Sequence, residues 1–476
     1  MSTVVEQIGE YAASLRMEDL SDPVVDYAKR ILLDSFACGY GGLESEPACI
    51  VRHGIAELGG AAQATLIGKG TKASMQHAAL ANGVAIRYQD YNDVYFGPAW
   101  TAHPSDTIAA VLAAAEWRGR SGSDFLLGMV IAYEVQLRFS DLPVARNLWH
   151  RGWHHTAACS YAAAAGAGRM LGLDGAQIGH AVALSGARSN TFAEIRHGNI
   201  PMDKALSAPI VSSQAILYAL LARQGFTGCS TLLEGPYGFS HAVAGGVAVD
   251  TLVPQRGDFR IMKIGLKPYP VEGMTPAMVQ AAIELRNEHR LDPGEIESIR
   301  ILAHEEAVTK PSWDDHKFAP DNKETADHSF YYCVAVGLVA GKCTSEQFND
   351  EWLRNPMVAR LMAVTTLEAK PELTALFKQG ARPAAVEVKT RRGIFYREVL
   401  YPKGDPHSPM TWADITEKFM RQAEPIIGSK LASQIVNRAG AIEKETNIGS
   451  FVELLGGIAQ TDQPDTSKIK AKAARV

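Results

Sequence analysis

The sequence carries only six cysteines in 476 residues, at positions 38, 49, 159, 229, 333 and 343, and no two of them form a C-x-x-C pair. That scatter argues against a zinc ribbon, an iron–sulfur cluster or a disulfide framework, and buried free thiols are the expectation. Strong charge of either sign is also missing. A net charge of -5 and a pI near 6.3 give no electrostatic footprint for nucleic acid or an anionic membrane, so a small molecule is the expected partner. No charge-free apolar run stands out as long enough to span a bilayer. The opening MSTVVEQIGEYAASLRMEDL carries early acidic residues and no apolar stretch leading to a small-residue cleavage site, which points to the cytoplasm. Adjacent helical aspartates with a second acidic set, the requirement of a metal-diphosphate site, are absent too, and no internal repeat is found.

What is present is an ordinary globular composition, 46% apolar and 21% charged, in a chain long enough for two or three domains. Most of residues 1–266 reads as helix. Ser21-Asp22-Pro23 is a start signal, followed by a stripe of Val24, Ala28, Ile31, Leu32, Ser35 and Phe36. Several later helices carry alanine, glycine and serine on more than one face, the make-up of closely packed helices. From residue 267 the texture changes. IESIRILAH alternates as a strand does, and AAVEVKTRRGIFYREVLYP reads as a hairpin around Arg391-Arg392-Gly393, interleaved with helix patterns. Helices return over 404–460, and 461–476 reads as a polar, lysine-rich flexible tail. The expected class is mainly α: a large helical domain interrupted by a smaller α/β domain over 267–403.

Chemistry-bearing residues cluster in RYQDYNDVYFGPAWTAHPSD, residues 87 to 106, where five aromatic residues and three aspartates interrupt alanine-rich surroundings. His103 precedes an alanine-rich helix that Ser105 is placed to cap, where free amides suit an anion and the helix dipole lowers an imidazole pKa. Asp90 is read as a carboxylate that orients a base or binds a substrate hydroxyl rather than a metal ligand. Gly152-Trp153-His154-His155-Thr156 repeats the arrangement, with Thr156 as the capping residue. Arg196 and Lys204, in the segment after Glu194, suit carboxylates, and Lys267 stands in a rigid proline turn ending at Glu272. Asp327-His328-Ser329 leads into a helix bearing Tyr332, a possible proton donor.

In this order and spacing the motifs D-Y-N-D with H-P-S-D, G-W-H-H-T-A, R-H-G-N-I-P-M-D-K, K-P-Y-P-V-E, E-T-A-D-H-S and Y-P-K-G-D-P resemble the MmgE/PrpD family, over roughly residues 5 to 455. That family includes 2-methylcitrate dehydratases, cis-aconitate decarboxylases and iminodisuccinate epimerase. The resemblance implies a helical domain with an α/β lid, a homodimer, and catalysis with no metal or organic cofactor. Carried over by position, Asp90, His103, His154 and Tyr332 become catalytic expectations. Arg87, Arg196, Lys204, Lys267 and Glu272 become substrate-binding ones, suited to a di- or tricarboxylate. Val94 stands where the decarboxylases resemble one another in threonine, and Glu272 where they have histidine. The pattern therefore looks more like the bacterial dehydratase branch, although Met274 falls where that branch has a histidine. The expected function is dehydration of a 2-methylcitrate-like hydroxy acid, a hydro-lyase reaction. Decarboxylation, epimerisation and a catalytically inactive scaffold are the alternatives.

Overall fold

The computed structural model describes residues 2–309 and 315–457; the expected tail at 461–476 lies outside the described residues. Two hydrophobic cores organise the chain. One draws on residues between Val4 and Leu266 and again between Met410 and Leu455, and the other lies wholly between Val271 and Val399. The first is helical. Its centre packs Met75–Tyr88, Thr156–Leu171, Gly175–Gly186 and Asp203–Arg223 against one another, with Gly122–Ser140 alongside. Small residues set the spacing there: a Cβ on Gly166 would fall 2.8 Å from the Gly128 carbonyl oxygen of the facing helix, a clash with backbone that cannot yield.

Asp203–Arg223 is the one helix among the described residues that is long and apolar enough, by length and composition, to cross a membrane. This corrects the sequence expectation that no such run exists. The helix contains Pro209 and packs into the centre of the helical core.

The α/β body holds a four-stranded sheet in the order Thr365–Ala369, Ile296–Ala303, Ala384–Thr390, Gly393–Val399. The first pair is parallel and the others antiparallel. Thr390 pairs with Gly393, so Arg391-Arg392 forms the two-residue turn that the sequence suggests. Phe330–Ala340 and Pro276–Glu288 pack together beside the sheet, and the buried faces of both belong to the second core.

Two local expectations change. Thr156 is the first residue of its helix and His155 holds the cap position. Ser105 lies in a short 3-10 turn, Pro104–Thr107, with its hydroxyl donated to Asp93 Oδ1 at 2.6 Å, and the α-helix begins at Ile108. Both shifts matter, because each reorients the histidine beside it.

The bodies meet at Lys267. From the C-terminal helix Trp412–Ile427, the buried Lys418 ammonium donates to Asp34 Oδ1 at 2.6 Å, to the Tyr91 carbonyl at 2.7 Å and to the Lys267 carbonyl at 3.2 Å. One cation thus ties this helix, the aspartate-rich segment and the crossing point together.

Candidate active site

Between the two bodies lies a cleft of about 570 Å³. The helical body contributes a short hairpin, Tyr95–Phe96 paired with Thr101–Ala102, whose Phe96, Trp100 and Thr101 form one wall. The α/β body contributes Glu272, Met274, His328 and Arg382 opposite. Tyr91 and Tyr95, although part of the same aromatic-rich stretch, point elsewhere. Tyr91 donates to the Pro268 carbonyl at 2.9 Å and Tyr95 to Asp141.

Asp90 is the electrostatic hub. It follows the Met75–Tyr88 helix with φ near 50°, a left-handed conformation that aspartate tolerates better than most residues. Its carboxylate receives Lys267 at 2.6 Å, Lys204 at 3.0 Å and Arg87 at 3.2 Å, and His328 Nε2 stands 3.4 Å away. A second carboxylate, Asp327, takes Lys323 at 2.7 Å, Lys204 at 3.3 Å and the other His328 nitrogen. Burial works to raise the Asp90 carboxyl, but Lys204, Lys267 and Arg87 outweigh it and hold it well below the usual carboxylate range. Asp90 is therefore a permanent anion, suited to fixing cations rather than taking protons.

This geometry sorts the nine residues expected from sequence. Asp90, His103, Arg196 and Glu272 line the cleft. Arg87, Lys204 and Lys267 do not line it; they lie behind Asp90 with 1% exposure or less, each paired with carboxylates of the chain. His154 is also displaced. It is fully buried, with Nδ1 3.3 Å from Thr156 Oγ1, and the adjacent His155 takes the cleft position instead. Tyr332 sits in the core of the α/β body against Phe348, and its hydroxyl donates to the Gln347 carbonyl at 2.6 Å.

His103 is the histidine most clearly arranged for proton transfer. Its Nδ1 lies 2.6 Å from the Asp93 carbonyl, which can only accept, so Nδ1 carries the proton and Nε2 is the free base. Burial, with help from Arg87 and Lys267, lowers its pKa well below the ordinary value and keeps the ring neutral. The other side of the charge balance is Arg196. Its guanidinium lines the cleft, is 8% exposed, and has two buried nitrogens, Nε and an Nη, with no hydrogen-bond partner among the described residues. An unpaired buried donor is costly, and a ligand carboxylate satisfies it.

His155 and His328 are two buried cleft histidines that position-by-position reading left out. The signal was local: each lies in a quoted motif, His155 beside the chosen His154 and His328 four residues before the chosen Tyr332. Burial lowers His328 to about 3 and His155 to about 4, so both rings are neutral in the empty cleft. Of the two groupings of metal-ligating side chains among the described residues, one is already neutralised by cations of the chain. Asp90, Asp327 and His328 are already surrounded by Lys204, Lys267, Lys323 and Arg87.

Comparison with known proteins agrees with this architecture. The chain matches the model of the MmgE/PrpD N-terminal domain over residues 6–251 and that of the MmgE/PrpD C-terminal domain over residues 269–440. It is 28% identical to a 2-methylcitrate dehydratase of Cupriavidus necator, over 82% of this chain and 83% of that one. A 2-methylcitrate dehydratase of Escherichia coli (strain K12) is 27% identical over 82% of this chain and 84% of its own. A cis-aconitate decarboxylase-like protein of Aspergillus oryzae is 24% identical over 95% and 97%. With both of its domain models matched in order along the chain, this protein belongs to the MmgE/PrpD family.

Proposed function

We propose that this protein is a cofactor-independent hydro-lyase that dehydrates a 2-methylcitrate-like hydroxy polycarboxylate, with the α/β body acting as a lid over the cleft. The relatives named 2-methylcitrate dehydratase support the reaction class. The observation that carries the reading is the pairing, in one cleft, of a tautomer-fixed base, His103, with the Arg196 guanidinium, two of whose buried nitrogens have no hydrogen-bond partner among the described residues. Arg196 neutralises a carboxylate, which makes the proton on the adjacent carbon less costly to remove. His103 Nε2 accepts that proton. Phe96 and Trp100 exclude water from the forming charge. The same proposal takes the active form to be a homodimer, on the strength of the family resemblance.

Replacing Arg196 with glutamine tests it. A charge-assisted hydrogen bond is worth about 1.5–3 kcal/mol, so KM for 2-methylcitrate is expected to rise roughly ten- to a hundredfold while kcat changes less. Unchanged KM and kcat in a folded variant would remove Arg196 from the substrate.

A pH dependence follows from Lys204. Burial pushes its ammonium down to about 8 against the pull of Asp327 and Asp90. A lysine is charged below its pKa, so the ring of cations loses one charge as pH rises through that value, and the Asp90–Asp327 region turns more negative. kcat/KM for an anionic substrate is expected to hold through neutrality and to fall above about pH 8. A profile that stays flat well past that value contradicts the role given to the ring.

A further inference from the structure

Dehydration needs a proton donor for the departing hydroxyl, and His103 cannot be base and donor in the same step. Tyr332, the donor expected from sequence, is committed to the Gln347 carbonyl inside the α/β core. His154 is fully buried and does not line the cleft. Both nitrogens of His328 are turned toward carboxylates, Nδ1 to Asp327 and Nε2 to Asp90.

His155 remains. It occupies the cap position of the Thr156–Leu171 helix without a side-chain capping bond, lines the cleft and lies edge-on to His103, with ring centroids 5.1 Å apart. Its Nε2 stands 3.7 Å from Asp106 Oδ2, and these two buried atoms have no other hydrogen-bond partner among the described residues. Nδ1 is then the nitrogen left to the cleft. Asp106 is itself held in place by Asn92 Nδ2 at 3.4 Å and by Arg87 Nε at 3.9 Å.

The two histidines differ in what stands behind them. Behind His103 is a peptide carbonyl, which fixes a tautomer without adding charge. Behind His155 is the Asp106 carboxylate, which works against the burial that lowers the ring to about 4, and a substrate carboxylate entering the cleft favours the imidazolium further.

We infer that His155, positioned by Asp106, is the proton donor to the leaving hydroxyl, and that His103 and His155 work as a base–acid pair across the cleft. The inference rests on the hydro-lyase reading. His103 Nε2 takes the carbon-bound proton, and the C–H electron pair becomes the second bond of the alkene. The C–O pair departs with oxygen, and the Nδ1 proton of the His155 imidazolium converts it to water. His103 ends protonated and His155 neutral, so return of one proton from the first ring to the second, directly or through water, resets the site. Asp106 touches no substrate atom and acts as a positioning residue.

The test separates a leaving group that needs a proton from one that does not. Wild type, His155→Gln and Asp106→Asn are compared on 2-methylcitrate and on its analogue with chloride in place of the hydroxyl. Loss of a general acid costs about 10²–10⁴-fold. In His155→Gln, water elimination is expected to fall by at least about a hundredfold while chloride elimination stays within about threefold of wild type. Asp106→Asn is expected to show the same selectivity at smaller amplitude, a split that a merely structural role would not produce.

Equal loss of both eliminations, or loss of neither, in a His155→Gln protein with wild-type circular dichroism would overturn the inference. Should that variant not fold, His155→Asn is read by the same criteria. A wild-type protein that eliminates neither group overturns the hydro-lyase reading and the inference with it. An active wild type with an unselective variant overturns the inference alone.

Discussion

Replacing His103 with glutamine is expected to lower kcat/KM for water elimination by about 10²–10⁴-fold, the range of a lost general base, with little change in secondary structure. Water and chloride elimination should fall together, because both begin with removal of the carbon-bound proton. Glutamine is the informative replacement. Its amide keeps a donor for the Asp93 carbonyl, which now accepts from His103 at 2.6 Å, so the fold loses at most one hydrogen bond while the basic nitrogen disappears. The surroundings are resilient in other ways too. Asp93 keeps its own bonds from the Ser105 hydroxyl at 2.6 Å and the Tyr133 hydroxyl at 2.7 Å, which hold the loop independently of the imidazole. Retention of more than a tenth of wild-type activity by a folded variant would contradict the assignment of His103 as base.

Replacing Asp90 with asparagine is expected to have the largest effect on stability, on the order of 3–5 kcal/mol, the cost of breaking a buried ion-pair network from one side. Asparagine tolerates the φ of about 50° at this position, so backbone strain does not confound the result. What it removes is charge. Lys267 would keep only uncharged acceptors, the asparagine amide oxygen and the residue-90 carbonyl, now 2.9 Å from its ammonium, whereas Lys204 would still have Asp327. The uneven loss gives an internal check. Adding Lys267→Met to the Asp90→Asn protein should restore part of the stability, because it takes away the cation left without a carboxylate. Chemical denaturation of the four proteins in this cycle measures it. An Asp90→Asn protein as stable as wild type would show that the network is not the support described above.

How much of this was legible in sequence follows a physical division. Elements read from periodicity appear where expected: the Asp22–Gly42 helix behind its proline, the Ile296–Ala303 strand, and the hairpin turning at Arg391-Arg392. These depend on local pattern alone. The segments that build the cleft were legible for the same reason, since each is a cluster of polar residues interrupting an apolar stretch. Which residue within a segment faces substrate was not.

His154 and His155 are neighbours at the start of one helix, and one residue of rotation, roughly 100°, moves a side chain from the cleft to the interior. The start of that helix at Thr156, with His155 as its cap, decided the matter. Tyr332 lies on the Phe330–Ala340 helix in the α/β core, whereas His328, which lines the cleft, stands in the turn before that helix. Lys204 and Lys267 looked like carboxylate binders for a substrate. They bind carboxylates of the chain itself, across long sequence separations that no local motif records. Lys418 drew no notice at all, because its role lies in the three oxygens that converge on it from Asp34, Tyr91 and Lys267.

The central claim is that the cleft removes a carbon-bound proton next to a carboxylate and expels a hydroxyl. It is tested most directly by incubating the purified, metal-free protein with 2-methylcitrate, citrate, cis-aconitate and an iminodisuccinate in deuterated water and following each by proton NMR. An alkene signal growing from one of the hydroxy acids, absent with His103→Gln, is the predicted result. Deuterium incorporation without an alkene, formation of itaconate from cis-aconitate, or no change in any of the four would contradict the hydro-lyase assignment.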